Sequence, residues 1–373
     1  MTNSVAIGMN LLWCRPGVGG SEDYLVRQLL GLSEIKHEFE IRVFAPRGFS
    51  ERHPQIAKEF KVVEAPSKCT TRAVRVALEH LWLPIVSRSM QLMHHGGGTL
   101  PRAQRTPSVL TVHDIQWVEY PQYVKSLKLR YLRTVVPSSV KRATRIAVPS
   151  QFVANSLVQH LGIEANKILV VPHGMEKQLG ANATSSDTLR RKYSLGKGPV
   201  IVYPAITHPH KNHRFLLQLL ASDDPTWADP TLRLVLTGSH GHAETEVMQL
   251  VSALGLEQRV VRTGHITSNE RDGIIAMADA VVFPSEYEGF GAPVVEAMTL
   301  GTPVVCSNKT SLPEVVGDAG IVLPLEIQAW KGALVAVRAR RDELSSAGQA
   351  RAAWFTAQRS AAALLEVYRE ALA

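Results

Sequence analysis

Cysteine is scarce: three residues in 373, Cys14, Cys69 and Cys306, odd in number and far apart. That excludes a disulfide framework, offers no Cys pair of the zinc-holding kind, and points to a reducing compartment. Long apolar runs are missing too; no stretch approaches the ~18 uninterrupted residues of a membrane span. The opening "MTNSVAIGMNLLWCR" has no basic segment ahead of its apolar run, so no signal peptide is expected. The expected location is therefore cytoplasmic. Charged residues are 20% of the chain and hydrophobic ones 45%, the balance of a soluble globular protein rather than a disordered one. The length suffices for two domains with cores of their own.

Acidic residues are thin in the first half. Residues 1–175 hold 22 Lys and Arg against 12 Asp and Glu, whereas residues 176–373 hold 19 against 21. Between Pro121 and Arg145 there are seven basic residues (Lys125, Lys128, Arg130, Arg133, Lys141, Arg142 and Arg145) and no acid. A basic half beside a neutral one suggests an anionic surface or substrate on one side only; a solvated helix face is the plainer explanation.

What the chain has is a repeated order of short apolar run, loop and helical stretch. Strands are expected at "VAIGMNLL", "FEIRVFA", "SVLTVHD", "RIAVPS", "ILVVPH", "PVIVYPA", "LRLVLTG", "VVRTGHI", "AVVFPS" and "TPVVCS". Continuous Val, Ile and Leu runs suit parallel strands buried on both faces, and alternation with helices implies βαβ units. The expected architecture is α/β, two Rossmann-like doubly wound domains facing a cleft: residues 1–175, residues 176–350, and a C-terminal helix over 351–373 that packs back toward the N-terminal domain. From Gly348 onward the tail reads as one long helix without Gly or Pro. Ligands in open α/β sheets lie beyond the carboxyl ends of the strands, and the chemically interesting residues here follow strands.

The densest of these places is "SEYEGFGAPVVEAMTLGTPVV", residues 285–305. A strand ends, a loop Glu288-Gly289-Phe290-Gly291-Ala292 follows, Pro293 is placed to begin a helix, and Gly301 to end it. Backbone N–H groups of a glycine loop at a helix N-terminus form an anion site, and Gly291 allows close approach. Glu296, one turn into the helix, suits a pair of vicinal hydroxyls such as a ribose. Glu288, at the start of the loop, suits the hydroxyls of a second polyol. A diphosphate joining two sugars answers the whole pattern. A glycosidase acid–base pair is the competing use of two carboxylates, but nothing aims Glu296 at a scissile bond. A general preference for acids near helix N-termini explains one glutamate and not the glycines.

The string "EGFGAPVVEAM-LG-PVV-SN--SLPEVVGDAG" resembles the donor-binding signature of family 4 retaining glycosyltransferases with the GT-B fold. "GVGGSEDYLVRQLL", "TVHDI", "AVPSQFVANSLV", "VVPHGM", "PHKNHRFLL", "VLTGS", "RTGHIT" and "MADAVVFPS" resemble other parts of the family in the same order, so the likeness spans nearly the whole chain. It implies that Glu288 contacts the donor sugar, Glu296 the ribose, and Phe290–Ala292 the sugar and phosphate through backbone. It makes Lys211 the diphosphate cation, and Gly19 and Gly20 cleft residues that touch donor phosphate or acceptor. Gly264, His265 and Ile266 are placed beside the nucleobase. The family's second cation, an arginine six positions before the lysine, is here Ala205; His208, His210 or Arg214 is left to supply the charge.

Further readings follow. His113, after the strand "SVLTV", is expected to hydrogen-bond the donor sugar or developing phosphate charge; the plainer reading is a histidine satisfied by its own loop, with Asp114 as a helix cap. "MHHGGGTLP" (His94–Pro101) is expected as a second cleft loop for the acceptor. The glycine spacing Gly17, Gly19, Gly20 and the lack of an acid after "FEIRVFAP" argue against a dinucleotide site. His208, His210 and His213 lack the Cys or carboxylate that would complete a zinc site. Asp-x-Asp occurs nowhere, so no metal and no cofactor is expected, and Lys211 with fixed backbone N–H groups would stabilise the leaving nucleotide. The expected activity is metal-independent transfer of a hexose with retention, from a nucleotide-diphospho-sugar (GDP-mannose or a related deoxysugar preferred) to a glycan or lipid-linked acceptor in bacterial surface polysaccharide synthesis. The expected partners are that donor, that acceptor and an anionic membrane surface contacted peripherally, and not nucleic acid. A GT-B epimerase and a nucleotide-sugar-binding protein with weak catalysis are the alternatives.

Overall fold

The computed structural model describes residues 4–14, 20–102 and 104–373. Contacts divide the chain into two compact units, Met1–Glu176 with Thr356–Ala373, and Lys177–Phe355.

The first unit holds a seven-stranded parallel sheet. Its strands are β1 (Val5–Asn10), β2 (Phe39–Ala45), β3 (Lys61–Glu64), β4 (Leu92–His95), β5 (Ser108–Thr111), β6 (Arg145–Val148) and β7 (Ile168–Val170), in the order β3-β2-β1-β4-β5-β6-β7. The second unit holds a six-stranded parallel sheet: β8 (Val200–Pro204), β9 (Arg233–Thr237), β10 (Val260–Gly264), β11 (Ala280–Phe283), β12 (Val304–Ser307) and β13 (Ile321–Leu323), ordered β10-β9-β8-β11-β12-β13. All ten expected strands are present. Three more escaped the apolar patterning. β3 and β13 are short, part-exposed edge strands, and β4 reads "LMHH", whose two histidines disguise a fully buried strand.

Strand order reverses between β1 and β4 in the first sheet and between β8 and β11 in the second. At such a reversal the neighbouring connections leave to opposite faces and open a crevice at the carboxyl ends of the strands. These two places carry the candidate residues described below.

The expected single C-terminal helix is broken. One helix ends at Ala352 and another runs Ala357–Leu372, with Thr356 capping it by accepting from the N–H of Arg359. Phe355, in the break, packs edge-on against Phe290 with ring centroids 5.5 Å apart. The chain passes from the second unit to the first at this point, and no periodicity of apolar residues encodes that. The last helix lies on the first unit's helix Gly20–Glu34, burying Leu364, Leu365, Val367 and Tyr368 with Leu25, Leu29 and Leu32. Gly31 makes the approach possible, since a Cβ there would stand 2.1 Å from the carbonyl oxygen of Ala357. Burial of a large apolar side chain is worth ~1.5–3 kcal/mol, so this helix is an integral part of the first core.

Candidate functional site

In the second unit, two loops leave the strands that flank the reversal, residues 205–212 after β8 and residues 284–291 after β11. Tyr203, fully buried near the end of β8, ties them together: its hydroxyl donates to the carbonyl oxygen of Lys211 at 2.7 Å and pairs with the hydroxyl of Ser285 at 2.9 Å. The N–H of Glu286 donates to the carbonyl of His210 at 2.8 Å. From the next strand, the Ser307 hydroxyl donates to the carbonyl of Ser285 at 2.6 Å. In the loop after β12, Thr310 accepts from the N–H of Glu288 at 2.9 Å and Ser311 donates to its carbonyl at 2.9 Å.

This cross-bracing aims two candidate side chains at each other. The Lys211 ammonium donates to the Glu288 carboxylate at 2.6 Å, with both groups largely buried, and it lies 5.8 Å from the centroid of the Phe283 ring. An ion pair withdrawn from water depends on both partners, because removing one strands the other's charge. Motif reading had given Lys211 and Glu288 separate tasks; the fold joins them.

Gly291 has φ +92° and caps the helix Ala292–Thr299; a Cβ on it would meet Leu312 at 2.7 Å. Ala292 is the first helical residue and Pro293 follows it, a shift of one position from the sequence expectation. Pro293 brings no N–H and that of Val294 donates to the Gly291 carbonyl at 2.9 Å, so the donor this helix start offers an anion is the N–H of Ala292, at the end of the glycine loop. Gly301, at φ +74°, follows the end of the helix in the left-handed conformation. Phe290 is held against Phe355, so its ring braces the loop while its backbone, with that of Gly289, runs past Glu288.

Glu296 is buried, 5% exposed, one turn into that helix. The Nε of Arg271, on the helix Ser268–Met277, stands 3.9 Å from its carboxylate, and Arg271 also pairs with Asp272 at 2.8 Å. Since that helix follows the loop Gly264-His265-Ile266, the residues expected at the nucleobase are linked through Arg271 to the one expected at the ribose. Gly264 ends β10 at φ +69°, and His265 is exposed.

The histidines of "HPHKNH" part company. Burial pushes His210 down to about 2 and His213 down to about 3, with the Lys211 charge acting in the same direction on both. Both are therefore neutral at physiological pH, and neither supplies the charge that an arginine at position 205 would bring. Ala205 itself is buried, and Arg214 is exposed beside Glu246. His208 packs against His210, with ring centroids 5.7 Å apart, and against His242, at 5.4 Å. His242 is a site neighbour that sequence reading missed, because it belongs to the loop after β9 in no recognised motif.

In the first unit, Gly19 lies outside the described residues and Gly20 begins the helix Gly20–Glu34. His113 follows β5; its Nε2 hydrogen-bonds the carbonyl of Gly96 at 2.9 Å, and Trp13 and Tyr24 contact its ring edge-on at 5.6 and 5.4 Å. Because a carbonyl only accepts, Nε2 carries the proton and Nδ1 is the ring's acceptor. Burial lowers its pKa, so the ring stays neutral and is suited to a hydroxyl rather than to a phosphate. Asp114 accepts from the N–H of Gln116 at 3.0 Å, but Ile115 holds the N-cap position of the helix Gln116–Glu119, so the expected Asp114 cap is a turn just ahead of it.

The loop expected over His94–Pro101 needs correction: His94 and His95 belong to β4 and are 1% and 0% exposed. His94 is bonded to Tyr368 at 2.8 Å and Thr111 at 2.7 Å, and His95 to Asn10 at 3.1 Å and Gln104 at 3.2 Å. Their polar atoms hold the sheet and the last helix together; only the glycines after them form a loop. Among the described residues no cluster of His, Cys, Asp and Glu has the arrangement of a metal site. No helix among them is long and apolar enough to cross a membrane.

Residues 185–346 match the family described as glycosyl transferases group 1, and residues 18–179 match glycosyltransferase family 4. The chain is 28% identical over 323 residues to the O-antigen chain mannosyltransferase B of Escherichia coli, covering 82% of each. It is 26% identical over 329 residues to a GDP-mannose-dependent α-(1-6)-phosphatidylinositol monomannoside mannosyltransferase of Mycolicibacterium smegmatis, covering 81% of this chain and 80% of that one. The crystal structure of Anabaena HepE in complex with UDP-glucose superposes with a TM-score of 0.76 at 21% identity, over 98% of this chain and 99% of the other.

Proposed function

As the chain belongs to the family 4, group 1 glycosyltransferases and has their GT-B fold, we propose that it transfers a hexose with retention, and without a metal, from a nucleotide-diphospho-sugar to a glycan or lipid-linked acceptor in bacterial surface polysaccharide synthesis. The observation that carries this is the Lys211–Glu288 pair beside the glycine-capped helix, with Glu296 buried one turn behind. A diphosphate laid on the helix N-terminus meets the Lys211 ammonium, the ribose hydroxyls reach Glu296, and the sugar reaches Glu288. As the bond from the anomeric carbon to the diphosphate oxygen breaks, negative charge grows on the leaving diphosphate, where Lys211 and the Ala292 N–H at the end of the glycine loop stabilise it. The leaving phosphate itself assists removal of the acceptor proton from the same face. No enzymic nucleophile is assigned.

GDP-mannose is the preferred donor. The named mannosyltransferases among the relatives support it, although UDP-glucose occupies the structural neighbour. The acceptor is assigned to the first unit, where His113 offers Nδ1 to a hydroxyl. A peripheral membrane contact is assigned to the helix Ser126–Arg142 and the turn before it. There Lys125, Lys128, Arg130 and Arg133 are exposed, and Leu127 is 84% exposed among them.

The test is product formation with a lipid-linked glycan extract and a donor panel of GDP-mannose, UDP-glucose, ADP-glucose and dTDP-rhamnose, with EDTA throughout. GDP-mannose should be consumed and its hexose appear on the acceptor. Activity lost to EDTA and restored by Mg²⁺ or Mn²⁺ contradicts the metal-independent reading, and epimerised donor without transfer contradicts the transferase reading.

A further inference from the structure

Charge accounting at the diphosphate cradle leaves a gap. The donor's diphosphate, esterified at both ends, carries two negative charges. The cation beside it, Lys211, is already paired with Glu288 at 2.6 Å. Arg262 is committed to Glu244, with Nε and Nη2 at 2.9 and 3.0 Å. Arg214 is exposed and faces Glu246. Buried His210 and His213 remain neutral.

The loop after β9 brings one more histidine to the loop after β8. Glu244 accepts from the hydroxyl of Thr207 at 2.5 Å, and Thr207 accepts from the N–H of Gly241 at 2.7 Å. Gly241 lies so close that a Cβ would stand 2.4 Å from the Thr207 carbonyl oxygen. These contacts fasten the loop after β9 onto the loop after β8 and bring the His242 ring to 5.4 Å from that of His208, whose carbonyl accepts from the N–H of Lys211 at 3.0 Å. We infer that His208 and His242 act together as a proton-loaded anion clamp, completing the positive charge at the donor diphosphate by taking up a proton as it binds. The inference rests on the donor-site reading above. His210 lies against His208, with Lys211 and His213, the first residue of the next helix, acting on it, while His240 and Arg262 pair with Glu244, which begins the helix after the His242 loop. An arriving dianion favours imidazolium there, because an opposite charge within a few ångströms favours the charged form.

Titration calorimetry of GDP-mannose and UDP-glucose between pH 5.5 and 8.5 tests this, in buffers of different ionisation enthalpy. Neither diphosphate titrates in that range. The wild type should bind about tenfold more tightly at the acid end, a shift of about one pKa unit in the clamp, and should take up protons on binding. His242→Gln and His208→Gln should each remove most of that dependence. His242→Lys, with a fixed charge, should bind tightly at every pH. Binding with no pH dependence and no proton uptake overturns the clamp and leaves the donor site standing. Failure of both nucleotides to bind at any pH overturns the donor-site reading, and the clamp with it.

Discussion

Both sheets reverse at an interior strand pair, yet the polar residues at the two reversals have opposite uses. In the first unit, Asn10, Glu79, His95 and Gln104 bond to one another, and His94 joins β4 to Thr111 and to Tyr368 of the last helix. These groups, buried except for the half-buried Gln104, bond to one another and hold elements in place. In the second unit, Tyr203, Ser285, Thr310 and Ser311 perform the holding. Lys211 and Glu288 are thereby held in place. Positioning there rests on neutral hydroxyls, and the proposed donor site draws its charges from the side chains they hold. A diphosphate flanked by two sugars needs that kind of fixed charge. The first unit carries its charge on an exterior helix instead, where it can act on a surface rather than on one bound molecule.

The sharpest way to break this comparison is to remove the second unit's cation. Lys211→Ala should reduce kcat by ~10²–10³, the usual cost of losing one group that stabilises leaving-group charge. Retained turnover would mean that Lys211 serves Glu288 alone.

On the first unit, changing Lys125, Lys128, Arg130 and Arg133 together to glutamine should release the protein from anionic vesicles. At ~1 kcal/mol per residue near the surface the partition should fall by roughly 10²–10³ at low salt. Transfer to a short soluble acceptor should hold. Equal flotation of mutant and wild type, or none of the wild type, would leave this helix as a merely solvated face.

Acid should test the holding role of the first unit's histidines. Burial depresses His94 to about 3 and His95 to about 4, so both stay neutral in the folded chain while the unfolded chain binds protons below the ordinary imidazole value of ~6.5. Their contribution is present above that value and is lost as pH falls from ~6.5 toward 4. The loss should be roughly 1–2 kcal/mol for each ring by pH 5. Urea midpoints at pH 7.5 and 5 measure it, and an unchanged midpoint would show that the rings become accessible to protons without unfolding.

A smaller effect separates the two glutamates. Glu288→Gln should depress transfer while leaving nucleoside diphosphate affinity equal to wild type or a few-fold tighter, because Lys211 is freed from its partner. Weaker nucleotide binding would assign Glu288 to the diphosphate or ribose rather than to the sugar.

How much of this was legible in the residues depended on whether a signal was local. Ten strands showed in short runs of Val, Ile and Leu, and the residues 285–305 showed their loop, helix and carboxylates because glycine, proline and glutamate spacing is itself the chemistry. β4 was hidden by its histidines, and β3 and β13 by being short and part-exposed. The break at Ala353–Thr356 was invisible, since a chain crossing from one unit to the other leaves no period in the sequence. The Lys211–Glu288 pair joins residues 77 positions apart, and His242 meets His208 only because β8 and β9 are neighbours. Tyr203 reads in sequence as one more apolar strand residue, and only the fold shows its hydroxyl as the tie between two loops.

The central claim is that a nucleotide is held by the glycine loop and the buried carboxylate behind it. Titrating GDP and UDP calorimetrically into the wild type and Glu296→Ala tests this without needing an acceptor. Losing a charge-assisted bond to the ribose should weaken the preferred nucleotide by ~1.5–3 kcal/mol, which is ~10- to 150-fold. Equal affinity in wild type and Glu296→Ala would contradict the ribose assignment and, with it, the placement of the donor.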